Sequence, residues 1–157
     1  MKTESRRAGG QIGRSHSGAA WHGPSVLETL EGITPAQAAA KPIEGAHSIW
    51  ELVKHVSAWQ ALALQTFQGA DCVSLEDDAN FPPVEDTSAD AWAHDIQAMS
   101  EINAQLVAAV KVFPEEMIET IVPGKPFSYY GLMHGIAEHN IYHAGQISLL
   151  RRLAVTR

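Results

Sequence analysis

Hydrophobic positions recur at intervals of three and four residues over most of the chain, which is the spacing of amphipathic helices. The clearest pattern begins at Ser48, because Ser48 and Glu51 match a capping box in which each side chain pairs with the other residue's backbone amide. We expect this helix to end near Gly69. Its inward face would carry Leu52, His55, Val56, Trp59, Leu62 and Ala63.

Three further helices follow from similar patterns. Pro24 and Ser25 begin a first helix that we expect to reach Ile33, and residues 87–112 form a third that stops at Phe113 and Pro114. A fourth helix is expected over residues 128–153. No segment shows the alternation of a strand, so the predicted fold is an all-α four-helix bundle. The inward face of the fourth helix would carry Leu132, Ile136, His139, His143, Gln146, Ile147 and Leu150.

The first twenty residues differ from the remainder of the chain in composition and in hydrophobic pattern. They contain four glycines and three serines and show no apolar period. We therefore expect residues 1–20 to be a flexible N-terminal tail and residues 21–157 to be a single domain. Residues 70–86 hold six acidic residues, two prolines and no basic residue, which predicts a solvated acidic connection.

Charge and composition exclude several classes of function. A formal charge of −7 over 157 residues argues against a protein that grips nucleic-acid backbone. No window approaches 18 uninterrupted apolar residues, so we expect no membrane span. The single cysteine, Cys72, cannot form an intrachain disulfide, and this fits a reducing cytoplasm.

The chain has eight histidines, and three of them fall on apolar helix faces. His139 and His143 are one turn apart on the fourth helix, and His55 lies on the second. Burying an unpaired polar group costs about 1–3 kcal/mol. A divalent metal would satisfy all three imidazoles and leave one coordination position open, as in catalytic sites. The alternative is that each histidine is a core residue hydrogen-bonded to a carbonyl or a water.

The two histidine-bearing segments together resemble the DinB/YfiT-like superfamily. Residues 131–147 (GLMHGIAEHNIYHAGQI) look like the last helix of that family, with its H-x-x-x-H-x-G-Q signature, and residues 47–59 look like its second helix. The segment 21–25 (WHGPS) resembles the opening of a DinB subgroup. The resemblance covers roughly residues 20–153. It implies a four-helix bundle of the DinB/YfiT type that holds a divalent metal on His55, His139 and His143.

The same resemblance implies a metal-dependent enzyme with a small-molecule substrate. Thiol transfer and hydrolysis are the two candidate reactions. No carboxylate is evidently placed as a general base, and this favours thiol S-transferase-like chemistry on a low-molecular-weight thiol. Zinc is the first expectation and nickel the second, since imidazole suits both metals. Because bound ligands are neutral, metal affinity should weaken as pH falls through the histidine range.

Other interpretations remain beside this one. His22 is a candidate catalytic residue if it faces the mouth of the site as a proton shuttle, and is otherwise a residue at the start of the first helix. The competing class of protein is a non-enzymatic helical module, which would bind a partner or dimerise around a structural metal. A homodimer through exposed apolar helix faces is a further prediction, with no nucleic-acid and no membrane partner.

Overall fold

The computed structural model describes residues 3–155, and side chains through residue 154. Within that range the chain is mostly helical and has no strand. The described residues form seven α-helices, in chain order α1 (Glu4–His16), α2 (Val26–Leu30), α3 (Pro35–Ala39), α4 (Ile49–Phe67), α5 (Asp77–Asn80), α6 (Ala89–Lys111) and α7 (Tyr129–Val155). A short 3₁₀ helix, Glu115–Met117, lies between α6 and α7.

Four of these helices are long, with 13, 19, 23 and 27 residues for α1, α4, α6 and α7. Helices α1 and α4 each pack against both α6 and α7. The short helices α2 and α3 pack against α7, and α3 also contacts α4. The long helices therefore enclose a shared interior, and α4 and α7 bring their facing residues together there.

Two helices confirm the boundaries predicted from the sequence. Ser48 caps α4, accepting from the Glu51 amide at 3.1 Å while Glu51 Oε2 accepts from the Ser48 amide at 2.7 Å. The chain leaves α4 at Gly69, whose φ of +95° suits a residue without a Cβ. Helix α6 begins after its cap Ser88 and ends before Phe113, as the pattern indicated.

The first long helix lies where the sequence predicted a flexible tail, so that prediction is wrong for residues 4–16, which pack against α6 and α7. Helix α1 occupies residues 4–16 and buries Ala8 and Ile12 completely. Its first amides, those of Glu4 and Ser5, donate to the carboxylate of Glu115 at 3.0 and 2.9 Å. These bonds satisfy donors that a helix start otherwise leaves unpaired.

Helix α1 is not recognisable from the sequence because small residues form much of its buried face. A Cβ at Gly9 would lie 2.7 Å from Cγ of Lys111 and 3.2 Å from the carbonyl oxygen of Val107, so glycine lets α1 approach α6 closely. The buried residues of α1 do recur at helical spacing, but Ile12 is the only large apolar side chain among them, so the inward face is not recognisable as apolar. These buried residues are Ser5, Ala8, Gly9, Ile12, Ser15 and His16. The predicted first helix is in fact shorter than expected: α2 ends at Leu30, and Gly32 turns the chain with a φ of +73°.

Among the described residues three apolar clusters fill the interior, and a buried polar layer lies between the two largest. One cluster joins α2, α3 and the first half of α4 to the second half of α7, and the other joins α1 to the opposite halves of α4 and α7. In the layer, Gln60 Nε2 donates to Asn140 Oδ1 at 2.9 Å, and Asn140 Nδ2 donates to Ser15 Oγ at 3.0 Å. His16 lies beside it, 3.4 Å from Ser100 Oγ. Helix α1 is thus bound by polar as well as apolar contacts.

Candidate metal centre

Three histidines from two helices converge at one point. His55 projects from α4, and His139 and His143 project from consecutive turns of α7. The Nε2 atom of His139 lies 3.1 Å from Nε2 of His55 and 3.1 Å from Nε2 of His143. All three ligand nitrogens lie within 4.8 Å of one another. The three histidines meet because His139 and His143 are four residues apart on α7 and because the faces of α4 and α7 that carry the histidines pack together.

Hydrogen bonds at the far side of two rings fix which nitrogen faces the centre. His55 Nδ1–H donates to the carbonyl oxygen of Asn80 at 2.7 Å, and His143 Nδ1–H donates to Oε1 of Gln146 at 2.6 Å. In the neutral imidazole the other nitrogen then carries a lone pair. Both Nε2 atoms therefore present lone pairs toward His139, in the arrangement that orients histidine ligands around metals.

The cluster fits a divalent metal better than it fits a set of hydrogen bonds. His139 Nε2 carries at most one proton, so it can donate well to only one of its two neighbours. At the other contact a lone pair lies 3.1 Å from a nitrogen that directs no proton toward it. A cation between the three nitrogens removes this conflict. Zinc–nitrogen bonds of about 2.0–2.1 Å in a tetrahedral site place neighbouring nitrogens about 3.3 Å apart. The two distances from His139 Nε2, 3.1 Å each, are close to this value.

Burial keeps the three rings neutral. Desolvation, reinforced by the neighbouring His143 and His55, lowers the pKa of His139 to about 3. Desolvation also lowers the pKa of His143 to about 4, and it lowers the pKa of His55. Neutral imidazole is the form that binds metal. These lowered pKa values move the expected loss of metal affinity from the ordinary histidine range to lower pH.

The acidic segment between α4 and α6 keeps its six carboxylate side chains exposed, as predicted, while Asn80 and Phe81 within it contact the cluster. Its short helix α5 ends at Asn80, whose side-chain oxygen accepts from Trp59 Nε1 at 2.9 Å while its backbone oxygen accepts from His55. The ring of Phe81 then stacks on His55, with centroids 4.1 Å apart. The segment therefore orients one ligand and shields it from water.

A cavity of about 390 Å³ opens beside His143. His47 lies on its wall, stacked on Phe81 at a centroid distance of 3.7 Å, and its Nδ1 lies 3.6 Å from Oε2 of Glu51. Tyr142 also lines the cavity, and its hydroxyl accepts from Gln146 Nε2 at 3.2 Å. The cavity therefore offers a second imidazole close to the cluster but outside it.

His22, the other sequence candidate, is not brought to the cluster. It is exposed and lines a separate depression with Arg14 of α1 and Ile141 of α7. The residues that the sequence analysis missed are Asn80, Phe81 and His47. Asn80 and Phe81 sit in a segment without periodicity, and only the folded chain shows that it returns to α4. His47 directly precedes the Ser48 cap of α4, and this position only weakly indicates that its side chain lies near the site.

The comparison with family models covers the part of the chain that contains the histidine cluster. The family model described as DinB superfamily matches residues 20–147, and the chain belongs to that superfamily. The match contains all three histidines and α4, α5 and α6, whereas α1 lies before it. No curated protein and no solved structure matched the chain. Among the helices described, none is both long enough and apolar enough to cross a membrane.

Proposed function

We propose that this DinB-superfamily protein binds one divalent metal ion on His55, His139 and His143 and is a metal-dependent enzyme acting on a small molecule. The fold is proposed to be the four-helix bundle of the DinB/YfiT type, with α1, α4, α6 and α7 as its helices. Zinc is the first choice of metal and nickel the second. Thiol S-transferase-like chemistry on a low-molecular-weight thiol is the favoured reaction.

One observation carries the proposal: the lone pairs of His55 and His143 are directed at His139 by hydrogen bonds on the opposite side of each ring. A core histidine satisfied by carbonyls would need no such convergence. Within the described residues the cluster contains three ligands and no fourth histidine, cysteine or carboxylate. This supports a site with an open position, as in metal enzymes, over a closed structural site.

The protein's own groups have separable roles in this proposal. A bound divalent metal would supply Lewis acidity and lower the pKa of a coordinated thiol or water. The three histidines hold it, Asn80 and Gln146 fix the orientation of two of them, and Phe81 excludes water from His55. Among the described residues no carboxylate lines the adjoining cavity, which supports thiol chemistry because a coordinated thiol needs no further base.

Hydrolysis is the second candidate reaction, and His47 favours it. This imidazole lines the cavity, and Glu51 lies near its Nδ1, so its other nitrogen can accept a proton from water. The two reactions therefore differ in whether they need His47. The non-enzymatic module remains the third alternative, and the homodimer and the cytoplasmic location remain predictions.

The experiment compares two assays on zinc-loaded protein. One follows thioether formation between cysteine and 1-chloro-2,4-dinitrobenzene, and the other follows hydrolysis of 4-nitrophenyl acetate. The wild type is compared with His47→Asn and with His139→Ala, and His94→Ala is the control because His94 is exposed and remote from the cavity. Thiol transfer that survives His47→Asn but not His139→Ala supports the favoured reaction. Ester hydrolysis lost in both variants supports hydrolysis, and no activity in either assay supports the module.

A further inference from the structure

The residues that line the cavity beside His143 indicate the chemical class of its ligand more closely than the metal cluster does. Its volume of about 390 Å³ lies within the usual range for small-molecule sites, about 300–1,000 Å³. Of the described residues that line it, none is Asp, Glu, Lys or Arg. A charged group placed there would lose hydration without gaining an ionic partner. The apolar part of the wall consists of Ile43, Ala46, Leu52, Phe81, Leu149 and Leu150.

The cavity wall is held in place before any ligand arrives. Phe81 is clamped between the rings of His47 and His55, with centroids 3.7 and 4.1 Å away. Leu52 and Leu150 belong to the apolar cluster of the interior, with exposures of 3% and 5%. A preformed apolar wall binds an apolar group without an added cost of ordering side chains. This part of the wall therefore belongs to the packed interior, whereas Ile43 and Ala46 lie in the connection between α3 and α4.

Three polar lining residues, Tyr142, His143 and Gln146, lie together on α7, on the side next to the cluster, and His47 adds an imidazole beside Phe81. Gln146 Nε2 donates to the hydroxyl oxygen of Tyr142, which leaves the hydroxyl proton free to donate to a ligand. His143 closes this side and is the one cluster residue among those lining the cavity. A ligand whose reactive atom lies beside His143 would therefore place the rest of its body against the aliphatic and aromatic wall.

We infer that the cavity is a specificity pocket for an uncharged, apolar substrate body, aromatic or branched aliphatic, attached to the group that reacts at the histidine cluster. This inference rests on the proposed function, since it deepens the substrate class of that site. It assigns Ile43 and Leu149, at the cavity mouth, as residues that determine specificity. Ionic or strongly hydrated substrate bodies are disfavoured at this position.

The test compares two primary thiols that differ only at the far end, 2-phenylethanethiol and 2-mercaptoethanol. Dissociation constants are measured by titration calorimetry on zinc-loaded protein, and zinc content is measured on the same samples. We expect the phenyl compound to bind at least about tenfold more tightly, as burial of an aromatic ring predicts.

Two double variants test whether the preference for the phenyl compound arises from the cavity. Ile43 and Leu149 are 40% and 57% exposed, so Ile43→Asn/Leu149→Asn leaves the core intact. The control is Ile121→Asn/Val112→Asn, because these residues are 57% and 80% exposed and do not line the cavity. We expect the affinity ratio to fall below about threefold in the first double variant and to remain at the wild-type value in the control.

The outcomes separate the inference from the function on which it rests. A zinc-loaded wild type that binds the two thiols equally overturns the inference and leaves the metal site standing. A preference that persists undiminished in the cavity variant also overturns the inference alone. A protein that takes up no zinc overturns the proposed function and the inference together.

Discussion

His16 is a buried ionisable group that has no part in the metal site, and it makes the docking of α1 sensitive to pH. The side chain is 3% exposed, and within residues 3–154 its Nδ1 has no hydrogen-bond partner. Desolvation lowers its pKa from 6.5 to about 4. The imidazole is therefore neutral in the folded protein at pH 5, whereas in the unfolded chain it is largely protonated.

The sign and size of the effect follow from this difference. Because the folded pKa is depressed, the stabilisation is complete above the unfolded value of 6.5 and is lost as pH falls toward 4. A gap of this width corresponds to about 3 kcal/mol, of which about 2 kcal/mol is lost between pH 7 and pH 5. The loss is specific to a protein in which α1 is packed, since a flexible tail would leave His16 at its ordinary pKa.

The measurement is urea unfolding of metal-free protein at pH 7 and pH 5 for the wild type and for His16→Gln. The three cluster histidines titrate in both proteins, so the difference between the two pH dependences isolates His16. We expect the wild type to lose about 2 kcal/mol more than the variant over this range. Equal losses would refute the reasoning. An NMR titration of His16 in the wild type gives the folded pKa directly, and a value near 6.5 would refute it as well.

Three further predictions concern helix packing and the ligands. Gly9→Ala should lower the free energy of unfolding by about 1–2 kcal/mol, because the added methyl group meets the backbone of α6. Gly13→Ala should raise the free energy of unfolding by up to about 1 kcal/mol through helix propensity. Urea unfolding measures both changes. Gln146→Leu should weaken zinc binding about 10- to 100-fold in a chelator competition, since it removes the acceptor of His143 Nδ1–H; undiminished affinity would contradict this. Zinc affinity should stay nearly constant from pH 8 to pH 6, because the pKa values of His139 and His143 lie near 3 and 4; a steep fall in that range would be contrary evidence.

The sequence was informative where local physics determines the structure. The capping box of Ser48 and Glu51 and the apolar period after it predict α4 with little help from the remainder of the chain. The i, i+4 spacing of His139 and His143 places both on one face of α7, and the inward position of His55 makes it the natural third member. These inferences need only helix geometry.

The sequence was uninformative where the structure depends on contacts between distant segments. Helix α1 is stabilised by the close approach of Gly9 to α6 and by the Glu115 carboxylate, more than 100 residues away. Nothing in residues 1–20 shows that Glu115 will satisfy the first amides. Likewise Asn80 and Phe81 reach His55 because the segment after α4 folds back, and its acidic composition predicts only solvation.

The most direct test of the account is zinc content per chain, measured by plasma mass spectrometry on untagged protein after zinc loading and removal of free metal. The wild type is compared with His139→Ala/His143→Ala and with the control His22→Ala/His94→Ala, which removes two exposed imidazoles outside the cluster. The account predicts about one zinc per chain in the wild type and the control, and almost none in the cluster variant. Equal zinc in all three proteins, or none in the wild type, would contradict it.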